Sequence, residues 1–127
     1  MMLSLPHLFV APSALGGRGV FTARAIEAGT IIELAPVILL SAEDRALVHR
    51  THLHDYYFQW DGEQAAIALG LGSLYNHSGE PNAEFELDYD FEQIRFVALR
   101  TIAAGEEITI DYRSGAPGME LWFATEA

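Results

Sequence analysis

The most constraining feature of this chain is a polar loop at residues 72–82 that directly follows an apolar run at residues 65–69. The loop combines residue types that bond backbone groups, permit unusual dihedral angles or fix turns. Asn76 and His77 come after the large apolar residues Leu74 and Tyr75, so we expect both to be partly buried. A partly buried amide or imidazole needs hydrogen-bond partners, which here are either backbone groups of a tight corner or a ligand.

Three segments of the chain resemble, in the right order, motifs of the SET-domain protein-lysine methyltransferases. Residues 76–78 with 81–82 resemble Asn-His-Ser-Cys-x-Pro-Asn, residues 17–21 resemble the N-terminal Gly-x-Gly motif, and residues 105–112 resemble the C-terminal Glu-Leu-x-Phe-Asp-Tyr motif. A lone Gly-x-Gly is weak, whereas three ordered motifs are specific. The resemblance covers about residues 16–112. One departure is Gly79, which stands where the family usually has cysteine.

The composition excludes several classes of protein. A length of 127 residues predicts one domain, and the absence of cysteine excludes disulfides and a thiolate zinc site. Many SET proteins carry a cysteine-rich zinc segment after the domain, and this chain has none. No apolar run is long enough to span a membrane, and no basic residue precedes the first apolar stretch, so neither a membrane partner nor a secretory signal is predicted. We expect a cytoplasmic location, or a nuclear one if the source is eukaryotic.

The net charge of −11 predicts the kind of partner. The seven basic residues are all arginine, because the chain contains no lysine. An acidic surface argues against nucleic acid as a ligand and favours a basic protein or peptide. The alternative explanation is that the charge serves solubility alone. A SET domain this small has no insert for an elaborate peptide groove, so a homodimer that completes the site is also expected.

Local patterns predict a mostly β fold with one short helix. Ser41 is the expected N-cap of a helix that runs to about Arg50. Pro36, inside the apolar segment 31–40, predicts a bulge, an edge or a break in a strand. Asp61-Gly62 is a hairpin signal.

Acidic and apolar residues alternate strictly from residue 84 to residue 91, which predicts a half-buried strand. Its four carboxylates would then share one solvent face. That face is either simply solvated or a landing surface for a basic peptide. The turn after it contains no glycine, so the sequence does not locate it.

A histidine cluster precedes the aromatic segment of the chain. His49, His52, His54 and Asp55 could suggest a metal site, but three imidazoles must converge in space to bind one ion. Spacings of three and two residues fit neither a single helix face nor a single strand face. We therefore predict a polar loop without a metal.

The resemblance makes the fold specific. It implies a β-clip of the SET type, with small curved sheets, one short helix and a C-terminal segment that passes beneath a loop in a pseudoknot. That threading would bring the two downstream motifs together. The expected organisation is a single domain over residues 1–127, with a core at about 16–112 and a tail at 113–127 that covers the cofactor.

The resemblance also implies the chemistry, which is methyl transfer from S-adenosyl-L-methionine to a lysine side chain. The attacking amine must be neutral, although a free lysine has a pKa of about 10.4. An apolar channel and a nearby sulfonium cation both disfavour the ammonium form. Tyr112 matches the catalytic tyrosine of the family, whose hydroxyl orients the amine and stabilises charge in the transition state.

The same resemblance assigns cofactor-binding residues. Asn76 and His77 match the pair that receives the amino group and the adenine edge of the cofactor, so His77 is not assigned as a base. Arg18 and Gly19 match the loop that wraps the methionine part, where glycine permits close approach. A C-terminal aromatic residue, Trp122 or Phe123, is expected to stack on the adenine, and Trp122 is the residue assigned.

Three residues are predicted to line the substrate channel: Tyr57, Tyr75 and Ile110. Tyr57 is chosen from the aromatic run that also contains Tyr56 and Phe58. Ile110 stands two residues before the catalytic tyrosine, where Phe or Tyr often tunes the number of methyl groups, so the degree of methylation is not predicted.

Two other functions compete with the methyltransferase hypothesis. Residues 19–32 also resemble the Ala-x-x-x-Ile-x-Ala-Gly pattern of the SAF family, a non-catalytic β-clip that binds small ligands. That hypothesis leaves Asn76-His77 and Asp111-Tyr112 unexplained. The third hypothesis is a SET domain that has lost activity and serves as a scaffold, and the intact Tyr112 argues against it.

Overall fold

The computed structural model describes residues 7–113. Within this range the chain forms two sheets, one α-helix and one short 3₁₀ helix at His52–Asp55. The prediction of a mostly β, SET-type fold with a single α-helix is confirmed. The elements are β1 (Leu8–Pro12), β2 (Arg18–Thr22), β3 (Ile31–Leu40), α1 (Ala42–Val48), β4 (Tyr57–Gln59), β5 (Ala65–Ala68), β6 (Asn76–His77), β7 (Ala83–Asp88), β8 (Gln93–Ala98) and β9 (Glu107–Ile110).

The last described strand, β9, lies between two strands that precede it in the chain. One sheet has the order β1-β2-β9-β6 and the other has the order β4-β5-β3-β8-β7. Strand β9 therefore enters between β2 and β6. The β6–β9 ladder is parallel, and the other ladders between the described strands are antiparallel. This insertion positions everything in the candidate site.

Strand β3 is the long central strand of the larger sheet, and it changes partner at Pro36. Residues 31–36 pair with β8, whereas residues 37–40 pair with β5. Proline has no N–H to donate, so the point at which the ladder changes sides tolerates it. The strand continues through Pro36 without a break. The irregularity lies instead between Ile31 and Glu33, where two residues of β3 oppose one of β8.

The predicted helix and hairpin are both present. The Ser41 side chain accepts a hydrogen bond of 3.1 Å from the Asp44 N–H, so Ser41 is the N-cap of α1. The helix ends at Val48, two residues before the predicted end. Strands β4 and β5 join through Asp61-Gly62, where Gly62 has a φ of +60°.

Strand β7 keeps the predicted alternation but is shorter than predicted. It ends at Asp88, so Tyr89 and Phe91 lie in the following turn and are exposed rather than directed to the core. Glu92 adopts a φ of +50° in this turn. A non-glycine residue at positive φ leaves no glycine signal, which explains why the sequence did not locate the turn.

The core lies between the two sheets. Its buried residues come from β3, β5, β7, β8 and β9, together with Val20 of β2 and with Trp60, Tyr75 and Ile102 outside the strands. Phe58 packs edge-on against Phe85, with ring centroids 5.1 Å apart. Across residues 7–113, no helix has both the length and the apolar character needed to cross a membrane.

Asn82 fastens β9 to the polar loop. Its side chain is 2% exposed, and its Oδ1 accepts a 2.8 Å hydrogen bond from the Thr109 N–H. Its Nδ2 donates to the Glu107 carbonyl at 2.8 Å. One amide thus bonds the backbone of β9 on both sides of Ile108, which holds the strand in its parallel register.

We predict that Asn82→Ala destabilises the domain by about 2 to 3 kcal/mol, because it leaves a buried N–H and a buried carbonyl of β9 unpaired. The free energy of unfolding from urea titration measures the effect. The matched control is Glu80→Ala in the same loop, an exposed position where a change within about 0.5 kcal/mol is expected. Equal losses in the two variants would contradict this role of Asn82.

Candidate active site

The parallel ladder of β6 and β9 brings the two downstream motifs together. Asn76 pairs with Thr109, and His77 pairs with Ile110. The Ser78 N–H extends the ladder by donating to the Ile110 carbonyl at 2.9 Å. Because β9 ends at residue 110, the next residues of the chain emerge beside the Asn-His pair.

Tyr112 is held against this pair by two hydrogen bonds. Its hydroxyl donates to the Tyr75 carbonyl at 2.7 Å, and its N–H donates to His77 Nδ1 at 3.2 Å. The rings of His77 and Tyr112 lie 5.2 Å apart, centroid to centroid. The phenol and the amide–imidazole pair therefore meet at one place, although 35 residues separate Tyr112 from His77.

The surroundings keep the Tyr112 phenol neutral. Burial raises the pKa of Tyr112 to about 12, and the nearby Tyr56 and Asp55 contribute in the same direction. A neutral phenol can donate one hydrogen bond and accept others. It does not act as a strong base at neutral pH, so its possible role is orientation and charge stabilisation.

His77 is also neutral in the folded protein. Burial lowers the pKa of His77, and this outweighs the opposing effect of Asp111. His77 Nδ1 lies 3.7 Å from Asp111 Oδ1, but with a neutral ring we treat this contact as polar rather than as an ion pair. Since Nδ1 accepts from the Tyr112 N–H, the ring proton must reside on Nε2.

Asn76 uses its amide nitrogen for structure and leaves its oxygen available. Nδ2 donates to the Arg18 carbonyl at 2.9 Å and to Glu107 Oε2 at 2.8 Å. Both partners are acceptors, which fixes the orientation of the amide. Within residues 7–113 no hydrogen-bond partner of Asn76 Oδ1 is found. A Cβ at Gly19 would overlap the Glu107 carboxylate and lie 2.9 Å from Asn76 Nδ2, so a side chain there would displace the hydrogen-bonded Glu107 and Asn76 groups.

Glu107 and Ser13 support the site and were not assigned from the sequence. Glu107 Oε1 accepts from the Ser13 hydroxyl at 2.6 Å, while Oε2 receives the Asn76 amide. The carboxylate therefore ties the glycine-rich loop of the first motif to the Asn-His motif. Glu107 lies inside the third motif, but its partners are 94 and 31 residues away, and no local sequence pattern predicts such distant contacts.

The family comparison agrees with this geometry. The SET domain family matches residues 17–113. The chain belongs to the SET domain family. This confirms the prediction of a SET-domain protein-lysine methyltransferase family member, made from the three ordered motifs.

Two relatives of this SET domain carry histone-lysine methyltransferase names. The Schizosaccharomyces pombe protein called histone-lysine N-methyltransferase, H3 lysine-37 specific, is 38% identical over 112 residues, which cover 87% of this chain and 73% of that protein. Human histone-lysine N-methyltransferase 2B is 33% identical over 110 residues, covering 80% of this chain and 4% of that protein.

Two solved structures share the fold of this SET domain. A crystal structure of a candidate histone methyltransferase from Plasmodium falciparum aligns with a TM-score of 0.65 and 29% identity, covering 90% of this chain and 99% of that one. A chain of an apo ctPRC2 structure with mutations in Ezh2 aligns with a TM-score of 0.74 and 25% identity, covering 91% of this chain and 16% of that one.

The three predicted channel residues lie in different surroundings. Tyr75 and Ile110 are 1% and 0% exposed and belong to the core, so Tyr75 contributes its carbonyl rather than its ring to the site. The Tyr57 hydroxyl lies 3.0 Å from His49 Nδ1, beside α1. Tyr56, the neighbour not chosen, is the phenol whose charge affects the pKa of Tyr112.

Arg18, Trp122 and the histidine cluster are the other residues that the sequence singled out. Arg18 begins β2 and offers its carbonyl to Asn76. Trp122 lies outside the described residues, as does most of the predicted tail. His49 and His54 are ring neighbours at 6.0 Å, but among the described residues no group of three or more His, Asp or Glu side chains could hold a metal ion.

We predict that the neutral His77 imidazole makes part of the protein's stability depend on pH. Since the pKa of His77 is lower in the folded protein than the usual 6.5, the unfolded chain takes up the proton first. The stability that His77 contributes is therefore present above 6.5 and is lost as the pH falls through the folded pKa. In His77→Asn, whose Oδ1 can still accept from the Tyr112 N–H, the melting temperature should fall less between about pH 7.5 and pH 5.5 than in the wild type.

Melting curves across this range, recorded by circular dichroism, provide the measurement. His52→Asn is the control, because His52 is exposed and lies in the 3₁₀ helix. This variant should keep the pH dependence of the wild type. An unchanged slope in His77→Asn would show that His77 is not the titrating group.

Proposed function

We propose that this SET domain is an S-adenosyl-L-methionine-dependent methyltransferase that acts on a lysine side chain of a basic, histone-like protein. The observation that carries the proposal is the neutral Tyr112 phenol, fixed by the Tyr75 carbonyl next to the Asn76-His77 pair. The histone-lysine methyltransferase names of the Schizosaccharomyces pombe and human relatives support the acceptor class.

The polar groups left over at the motif junction fit the cofactor. Asn76 Oδ1 is an acceptor suited to an ammonium group, and the protonated Nε2 of His77 is a donor suited to a ring nitrogen or carbonyl. The backbone of Arg18 and Gly19 passes close to the Asn76 amide, because residue 19 carries no Cβ. S-adenosyl-L-methionine would supply an electrophilic methyl group on a positively charged sulfur.

Tyr112 would position the lysine amine. Its hydroxyl donates to the Tyr75 carbonyl, and a phenol oxygen can in addition accept a hydrogen bond from an amine N–H. An amine held in this way directs its own lone pair along a defined line. Displacement at a methyl carbon depends mainly on such alignment, so the absence of a base at Tyr112 fits the reaction.

Asp55 and Tyr56 form the acidic and aromatic side of the same region. Asp55 Oδ1 is buried and, although it lies 3.0 Å from His54 Nε2, it has no hydrogen-bond partner among the described residues. The charge of Asp55 also raises the pKa of Tyr112, so the carboxylate lies within electrostatic reach of the phenol. A carboxylate there would attract an arriving lysine ammonium, and we propose Tyr56 in place of Tyr57 as the aromatic wall.

The surface charge suits a basic acceptor protein. The net charge of −11 creates long-range attraction for such a partner. The acidic face of β7 is smaller than predicted, because Arg95 pairs with Glu86 at 3.2 Å and Asp88 accepts from Gln93 at 2.9 Å. The homodimer and the cytoplasmic or nuclear location stay predictions.

We predict that Tyr112→Phe lowers kcat for lysine methylation by about a hundredfold or more, because it removes the group that orients the amine and stabilises the transition state. Transfer of a labelled methyl group from S-adenosyl-L-methionine to histones measures the loss. The enzyme contains no lysine, so labelled lysine belongs to the added protein. The dissociation constant of the cofactor, measured by calorimetry, should stay within about twofold.

The control is Tyr89→Phe, which removes an exposed tyrosine hydroxyl in the turn after β7 and should leave kcat unchanged. Cofactor binding by the wild type without transfer to histones or ribosomal proteins would support the inactive scaffold instead. A wild type that does not bind the cofactor would support the SAF-like binding module.

We predict that Asp55→Asn lowers kcat/KM for a lysine substrate by about three- to tenfold, mainly through KM, since the ammonium loses an attracting charge. The loss should shrink as the salt concentration rises, because salt screens this attraction. Initial rates with a basic peptide at several ionic strengths provide the measurement. Asp61→Asn in the β4–β5 turn is the charge-matched control, and an equal loss there would contradict a local role for Asp55.

A further inference from the structure

A carboxylate is buried in the core where the proposed chemistry does not use one. Glu33 in β3 is 1% exposed. In a regular strand, side chains two residues apart lie on the same face, so residue 33 would lie on the outer face with the exposed Ile31. The bulge between these residues inserts one extra position and turns Glu33 inward, together with Ile32. The bulge in β3 therefore directs the Glu33 carboxylate into the interior.

Both oxygens of Glu33 bond the segment that leads into the Asn-His motif. Oε1 accepts from the Tyr75 hydroxyl at 2.6 Å, and Oε2 accepts from the Leu71 N–H at 2.9 Å. Gly70 adopts a φ of +64°, and a Cβ there would overlap Glu33 Oε2. The carboxylate thus bridges residues four apart and clamps the turn between them.

Tyr75 connects this clamp to the active site. Its ring is 1% exposed and packs on Phe96, with centroids 4.5 Å apart, while its hydroxyl is bound to Glu33. Its carbonyl accepts the Tyr112 hydroxyl at 2.7 Å. A shift of the Tyr75 ring would therefore move the acceptor that sets the direction of the catalytic phenol.

Burial of the Glu33 carboxylate lowers stability, but its hydrogen bonds to Tyr75 and Leu71 restrain the geometry of the bonded groups. Burial raises the pKa of Glu33, and the two hydrogen bonds counteract only part of that effect. Apolar residues of similar volume often stabilise a core as well as or better than buried charges do. Short hydrogen bonds to a carboxylate, however, fix direction more tightly than apolar contact does. The arrangement thus restrains the Tyr75 carbonyl more closely than core packing alone would.

We propose that Glu33 is a positioning residue for methyl transfer: it holds Tyr75 through the phenol hydroxyl so that the Tyr75 carbonyl aligns the hydroxyl of Tyr112. Glu33 contacts neither substrate nor cofactor in this role. The kinetic consequence rests on the proposed methyltransferase function, whereas the alignment of Tyr112 can be tested without turnover.

The test uses Tyr75→Phe, which keeps the ring and the carbonyl, together with Glu33→Gln and the double variant. Each single change should lower kcat about tenfold, the effect of 1.36 kcal/mol on the barrier, with both KM values within about twofold. Because both changes weaken the same Glu33–Tyr75 link, the double variant should lose little more than Tyr75→Phe alone. Additive losses, or losses confined to KM, would overturn the proposal.

A spectroscopic measurement tests the alignment of Tyr112 even if the protein transfers no methyl group. The protein contains five tyrosines, so 3-fluorotyrosine labelling gives a small set of ¹⁹F resonances, and the one from Tyr112 is assigned with Tyr112→Phe. This resonance should shift in Tyr75→Phe and in Glu33→Gln. If the wild type transfers no methyl group, the proposed function fails, but this shift still shows whether Glu33 and Tyr75 position Tyr112. An unmoved resonance would overturn this positioning role.

Thr22→Val separates positioning from loss of stability. Thr22 is fully buried in β2, and its hydroxyl donates to the Arg24 carbonyl at 2.6 Å. The variant should lower the melting temperature and leave both kcat and the Tyr112 resonance unchanged. A drop in kcat comparable to that of Tyr75→Phe would show that any weakening of the core slows the enzyme, and would overturn the role of Glu33.

Discussion

The parallel pairing of β6 with β9 is the interaction on which the rest of this structure depends. Two residue pairs make up the ladder, which is too little backbone hydrogen bonding to be stable alone. Side chains supply the remainder. The Asn82 amide bonds the backbone of β9, and His77 Nδ1 accepts from the N–H of Tyr112, two residues after β9 ends. Residues of the Asn-His motif segment thus also hold a short strand in place.

The electrostatic character of the site follows from this dense hydrogen bonding. Tyr112 is neutral because it is buried among negative groups, and His77 is neutral because it is partly buried. A site made of neutral donors and acceptors suits a reaction that needs alignment more than proton transfer. The charged groups beside them include the supporting carboxylate of Glu107, bound to Asn76, the carboxylate of Asp111 near His77, and the proposed attracting carboxylate of Asp55.

The core and the active site are continuous through Tyr75. Its ring belongs to the apolar cluster, its hydroxyl donates to a buried carboxylate, and its carbonyl accepts from the Tyr112 phenol. The bulge in β3 that turns Glu33 inward lies in the five-stranded sheet, whereas the motif strands β6 and β9 belong to the other sheet. Features outside the signature segments therefore shape the geometry that those segments present.

Local features could be predicted from the sequence because neighbouring residues determine them. The Ser41 cap, the Asp61-Gly62 turn and the alternation of β7 each depend on a few adjacent positions. The ordered motifs gave the family, and with it the meeting of Tyr112 and His77. Only the tertiary structure determined the register of the strands and the contacts between distant segments. One inserted residue in β3 turned Glu33 inward, and contacts 31 and 94 residues apart placed Glu107. Such contacts depend on how distant segments align, which side-chain periodicity does not encode.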